Sequence, residues 1–139
     1  MDLYSTVYRF NKWYVVRLQE ICSDYGTTPV QWLVMYHISL HEGCTSKDIV
    51  NEWSVEKPTV SYYVRKLKEQ GLLQFTSGRD KREKYLSLTS EGASLCERIN
   101  EKVKELQTFV TEPFTDKQIE KWTEQVEVLG ERMKAFKKG

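Results

Sequence analysis

Nowhere in these 139 residues do apolar side chains approach the roughly 18 consecutive positions that a membrane-spanning helix needs, so no membrane span is expected. The opening residues, Met1-Asp2-Leu3-Tyr4-Ser5, lack the basic-then-apolar layout of a secretory signal, and a cytoplasmic location is the expectation. Cysteine is scarce and odd in number: Cys22, Cys44 and Cys96 have no close spacing, which argues against a disulfide framework and against a clustered zinc site. Also missing are a glycine-rich phosphate loop, a nucleophile elbow and an HExxH helix. The two histidines have no suitably placed serine or cysteine, so neither an enzyme nor a bound cofactor is expected.

What is present is an ordinary globular balance, 40% hydrophobic with 29% charged residues, in a chain long enough for one real core and short for two. The expectation is a single folding unit, 1–139. The formal net charge of +1 hides a segregated field. From Lys57 to Lys84 there are eight Lys and Arg against three Asp and Glu, a local +5, whereas the other 13 Lys and Arg and 17 Asp and Glu give −4.

Along the chain, Leu3, Val7, Phe10, Tyr14, Leu18, Ile21 and Tyr25 recur at helical spacing and predict one long amphipathic helix ending near Gly26. Thr28-Pro29-Val30-Gln31 is a helix start with a capping box, predicting a second helix that runs to Gly43. Thr45-Ser46-Lys47-Asp48 opens a brief third helix carrying Ile49, Val50 and Trp53 and stopping near Ser54. Pro58 suits the first turn of a fourth, in which Val60, Tyr63, Val64 and Leu67 share one side while Ser61, Tyr62, Arg65, Lys66 and Glu69 face away. After Gly71, Leu72–Thr76 and Lys84–Leu88 read as two strands of a hairpin whose loop contains Gly78. Thr89 caps a fifth helix with Leu95, Ile99, Val103, Leu106 and Val110, ended by Pro113.

The sixth helix has Thr115 as cap, Gln118 as its capping-box partner and Phe114 against Ile119 as a hydrophobic staple. Its Ile119, Trp122, Val126, Leu129, Met133 and Phe136 form a narrow heptad-like seam, which wants another helix. One subunit has little left to cover seams on both its first and last helices, so the termini are expected to pack against those of a second copy.

The central segment holds the parts of a helix-turn-helix followed by a wing: two short helices, the second presenting hydroxyl and cationic side chains, then a basic hairpin. Arg and Lys suit DNA because guanine offers two acceptors in the major groove and phosphates attract either cation. Thr59, Ser61 and Tyr62 can hydrogen-bond to base edges or phosphates. Arg79, Lys81, Arg82 and Lys84 lie on a loop that Gly78 lets turn, from which a guanidinium can extend into a narrow minor groove.

These residues resemble the multiple antibiotic resistance regulator (MarR) family of winged-helix regulators, over nearly the whole chain. The likeness is most specific at Pro58-Thr59-Val60-Ser61 leading to Val64-Arg65-Lys66-Leu67 and Gly71-Leu72, and at Asp80-Lys81-Arg82 followed by Leu86-Ser87-Leu88-Thr89 and Gly92. The resemblance implies a mainly α fold with a small β-hairpin, in which 28–92 is the winged helix-turn-helix lobe and 1–25 and 93–137 are dimerisation helices. It implies a triangular homodimer, each winged helix on one half of a pseudo-palindromic double-stranded operator, acting mostly as a repressor and in many members released by a small aromatic or phenolic effector. Carried onto this chain, Lys57, Pro58, Thr59, Ser61, Tyr62, Arg65 and Lys66 read the major groove, Arg82 reaches the minor groove, and Asp80 holds the wing in shape. Tyr4, Tyr8, Trp13, Trp32 and Tyr36 would line the effector cleft, against the simpler reading that aromatics at helical spacing belong to a core.

Two alternatives keep the same fold: a thiol-based redox sensor and a winged helix serving only protein contacts. Peroxide-sensing members place their cysteine near the start of the first helix, whereas Cys22 falls near its end; Cys44 and Cys96 read as core packing. His37 and His41, four apart on one helix face, are too few for a tetrahedral metal shell, and no metal is assigned.

Overall fold

Local capping decides where most of the helices begin. The computed structural model describes residues 1–139 except Arg79 and Lys81. Asp2 accepts the Ser5 amide at 2.9 Å and starts α1, Leu3–Ser23. Both halves of a capping box are made at Thr28/Gln31, which opens α2 (Pro29–Leu40), at Thr45/Asp48, which opens α3 (Ser46–Trp53), and at Thr115/Gln118, which opens α6 (Asp116–Ala135). Each box satisfies amides that a first turn otherwise leaves unpaired, a contribution of about 1 kcal/mol per cap. α4 (Lys57–Glu69) has no side-chain cap and relies on Pro58, whose fixed φ suits the first turn.

Between α4 and α5 (Ser90–Thr111) lies an antiparallel hairpin, β1 (Leu73–Ser77) and β2 (Lys84–Leu88), in register from Leu73 opposite Leu88 to Ser77 opposite Lys84. β1 begins one residue later than the sequence pattern suggests because the backbone of Leu72 is already engaged. Its amide bonds to the Leu67 carbonyl at 3.0 Å, closing α4 with Gly71 in the left-handed region, and its carbonyl accepts the Thr89 amide at 3.1 Å. The Thr89 hydroxyl donates to the Gly71 carbonyl at 2.7 Å and accepts the Gly92 amide at 3.1 Å, which seats the start of α5 on the corner after the fourth helix. α2 stops at Leu40, short of Gly43, because the chain leaves it to meet the hairpin: Gly43 donates to the Leu86 carbonyl at 2.9 Å, and Cys44 bridges Leu86.

Two compact units follow from the packing, 1–103 and 104–139. The core of the first takes Leu18 and Cys22 from α1, Met35 and Ile38 from α2, Ile49 from α3, Val60, Val64 and Leu67 from α4, Leu73 and Leu86 from the hairpin, and Cys96, Ile99 and Val103 from α5. Each large apolar side chain buried there stabilises by roughly 1.5–3 kcal/mol before the entropy of ordering is subtracted. The second unit contains no buried residue on α6; Trp122, Val126, Leu129 and Met133 are all exposed, and Phe136 falls just beyond the helix in extended backbone. At the foot of α6, Phe114 rests edge-on against Trp122 at 4.7 Å between ring centroids. In α1 likewise, Leu3, Val7 and Phe10 are exposed, and burial begins only in the second half. Among the described residues, no helix is long and apolar enough to cross a membrane.

α2 and α3 are tied by a part-buried polar contact: Trp53 Nε1 donates to the buried His37 Nδ1 at 2.9 Å, which requires that nitrogen to be unprotonated. Burial pushes the His37 pKa below its ordinary value, and the neighbouring His41 adds to the effect. A histidine depressed in the folded state protonates first in the unfolded chain, so acid favours unfolding. Stability is therefore expected to fall as pH drops below about 6.5 and to level off below the lower folded value. His37→Gln should flatten that limb of a urea-midpoint against pH curve; an unchanged limb would assign the acid sensitivity to other groups.

Candidate nucleic-acid interface

α4 divides its residues cleanly. Val60, Val64 and Leu67 are buried and Tyr63 is half-buried, which uses up the apolar side. On the other side Lys57, Pro58, Ser61, Tyr62 and Arg65 are exposed, while Thr59 and Lys66 are half-buried. Lys66 thus does not stand fully away from the protein; its Nζ lies 5.9 Å from the centroid of the Tyr62 ring, and Tyr62 packs edge-on against Tyr63 at 5.0 Å. The outward face therefore offers a guanidinium, hydroxyls and a phenol, with no aliphatic residue among them. α3 packs against α4, completing the helix-turn-helix, and Ser54 takes a left-handed conformation, φ 52°, in the turn between them.

The hairpin supplies the wing. Asp80 organises its loop: its Oδ1 accepts the Arg82 amide at 3.0 Å and lies 3.8 Å from Arg82 Nε, while its carbonyl accepts the Glu83 amide at 3.0 Å. The Arg82 side chain is nonetheless 95% exposed, so the ion pair orients it without burying it. Such an exposed pair contributes little to stability and leaves the guanidinium free to bind an anion. Tyr85 donates to Glu83 Oε2 at 2.9 Å, a bond that raises the phenol's pKa. Gly78 is held close by the same ring, since a Cβ there would overlap Tyr85 and come 2.6 Å from its Cζ. Arg79 and Lys81, also assigned to the wing from sequence, lie outside the described residues. Lys84 is exposed at the start of β2, with its Nζ over the Phe75 ring.

The aromatic residues assigned to an effector cleft separate into two groups. Trp32 is buried, stacks on Tyr36 at 5.4 Å and donates from Nε1 to Asn100 Oδ1 at 2.8 Å, a bond from α2 to α5. Tyr4, Tyr8 and Trp13 on α1 are exposed, with the Arg17 guanidinium 5.2 Å from the Trp13 ring.

The histidine pair has neighbours the linear sequence does not place beside it. His37, His41, Cys44, Asp48, Asn51 and Glu52 line one groove between α2 and α3. Among the described residues no three of the His, Cys, Asp and Glu side chains are disposed to hold a metal ion. All three cysteines are buried, and desolvation raises their pKa values, to about 11 for Cys22 and Cys44. A reactive thiol needs the opposite environment, so the redox alternative gains nothing from this geometry.

Comparison with known proteins agrees with this arrangement. A profile described as the MarR family matches residues 25–83. The HTH-type transcriptional regulator YwoH of Bacillus subtilis (strain 168) is 33% identical over 100 residues, covering 72% of this chain and 73% of its own. Among solved structures, the Staphylococcus aureus MepR–DNA complex superposes with a TM-score of 0.83 at 20% identity, over 95% of this chain and 99% of that one. S. aureus MarR in complex with salicylate and kanamycin gives 0.82 at 23% identity, over 96% and 91%. At these identities the structural likeness concerns the fold.

Proposed function

Because the chain belongs to the MarR family of winged-helix transcriptional regulators, we propose that it is a homodimeric repressor that reads a pseudo-palindromic double-stranded operator and is released by a small aromatic effector. The observation that carries the reading is the division of α4, whose apolar side is consumed by the core while its outward side is left entirely to Lys57, Ser61, Tyr62, Arg65 and their neighbours. That face enters the major groove. Arg82, held at its base by Asp80 and extended into solvent, enters the adjacent minor groove, with Arg79, Lys81 and Lys84 adding phosphate contacts.

The dimer rests on the apolar residues that a single copy leaves uncovered at both ends of the chain, within 1–25 and 93–137, while 28–92 binds DNA. Exposed apolar seams of this kind mark interaction surfaces. For the effector, Tyr4, Tyr8, Trp13 and the half-buried Tyr36 are the side chains accessible to an aromatic ring, and salicylate is the probe of choice because S. aureus MarR is seen with it.

Fluorescence anisotropy with duplexes selected from a random pool tests this. Affinity should fall linearly on a log–log plot against salt, with a slope of about −0.9 per phosphate neutralised. Selected half-sites should be centred about ten base pairs apart or a multiple of it. Arg82→Ala should weaken binding to the selected duplex by about 1–3 kcal/mol with a much smaller effect on random duplex. No duplex binding at low salt would reject the DNA-binding reading, and equal effects of Arg82→Ala on both duplexes would reject base reading by the wing.

A further inference from the structure

Two ammonium groups converge on a single ring at the junction of α4 and the wing. Lys68 Nζ lies 4.8 Å and Lys84 Nζ 4.9 Å from the centroid of Phe75. Lys68 sits in the last turn of α4, Lys84 opens β2, and Phe75 is in the middle of β1, on the same side of the strand as the buried Leu73. Phe75 packs half-buried against the core, so its position is fixed, whereas both lysines are exposed. Among the described residues, no carboxylate forms an ion pair with either ammonium.

Like charges on flexible stems separate in water unless something holds them. Here each is attracted to the negative face of the ring, while the methylene stems cover its apolar surface and the charged heads stay wet. Lys66 and Lys68 both fall in the last turn, where the helix dipole favours cations, but that alone does not bring Lys84 from the other strand. Two positive charges are thereby gathered around one ring at the junction of α4 and the hairpin. A lysine ammonium binds phosphate as a point charge and demands no planar fork.

We infer that Phe75 is a positioning residue that draws Lys68 and Lys84 into one shared site for a single backbone phosphate of the bound duplex. The inference rests on the DNA-binding reading and adds to it a phosphate contact that bridges the recognition helix and the wing. Neither lysine alone completes the site, so their contributions are not independent.

The test is the salt dependence of binding to selected and random duplexes by anisotropy, using the full chain. A single phosphate contact corresponds to a slope change of about 0.9 and roughly a tenfold change in affinity near 0.05 M salt. Lys68→Met and Lys84→Met should each lower the slope by about one on both duplexes, and the double variant should lower it by about one as well. Phe75→Leu, which keeps both charges, should lose much of the same affinity, and Phe75→Tyr, which keeps a ring, should retain it. Wild-type binding by Lys68→Met, a summed effect of about two in the double variant, or equal losses in Phe75→Leu and Phe75→Tyr would each overturn the shared site. Should Phe75→Leu melt early, the exposed Lys68→Met and the double variant still decide. A wild-type protein that binds no duplex at low salt rejects the parent reading, whereas a binding wild type with an indifferent Lys68→Met rejects this site alone.

Discussion

Gly92→Ala is expected to lower the thermal midpoint by roughly 10 °C, a larger effect than any surface substitution in the chain. A Cβ at this position would overlap the Leu72 carbonyl oxygen and come 2.8 Å from its carbon. The obstacle is backbone, and that carbonyl also accepts the Thr89 amide, so it cannot swing aside without losing a hydrogen bond. Over-packing against a yielding side chain costs about 1–3 kcal/mol; a rigid carbonyl puts this case at the upper end or above. The shift, read by far-ultraviolet circular dichroism, should be accompanied by weaker duplex binding in the remaining folded protein, because the same corner fixes the end of α4. Gly130→Ala is the control. That residue lies inside α6 with nothing within 4 Å of an added Cβ, so alanine should raise helix stability slightly. If Gly92→Ala melts with the wild type, the start of α5 does not seat on Leu72 as described.

The second large effect concerns association. Val126→Glu combined with Leu129→Glu should leave each copy folded, since neither position is buried within a chain and no residue of α6 belongs to the core. In the proposed dimer the same changes place unpaired carboxylates in an apolar interface, at a cost of several kcal/mol. Sedimentation equilibrium of the wild type should report twice the 16.4 kDa chain mass, and the double variant the mass of one chain. Operator affinity should drop by roughly a hundredfold or more, since about 2.7 kcal/mol of lost coupling between half-sites suffices for that. A wild type that sediments as a monomer, or a double variant that remains paired, would remove the terminal seams from the account of function.

How far the sequence reached follows from the range of the interactions involved. Thr28/Gln31, Thr45/Asp48 and Thr115/Gln118 are legible because a capping box closes within three residues, and the division of α4 is legible because helical period alone separates Val60, Val64 and Leu67 from Ser61 and Arg65. Contacts across long stretches of chain left no such trace. Trp32 fits an aromatic cleft by spacing, yet its indole is committed to Asn100, on a different helix. His37 and His41 look isolated in sequence until α3 brings Asp48 and Glu52 beside them. Lys68 reads as one more surface lysine, and only the hairpin's return sets its ammonium and that of Lys84 over Phe75. Apolar spacing likewise signals that a face of α1 or α6 can be covered and is silent on what covers it, and Val7, Phe10, Val126 and Leu129 are exposed in the folded chain.

The burial of all three native thiols has a practical corollary. Because Cys22, Cys44 and Cys96 are at most 7% exposed and their thiols resist ionisation, alkylating dyes at neutral pH will find almost no native target in the folded protein. A single cysteine introduced at an exposed position such as Asp116 therefore offers a clean attachment point for a fluorophore, with no need to strip the chain of its own thiols first.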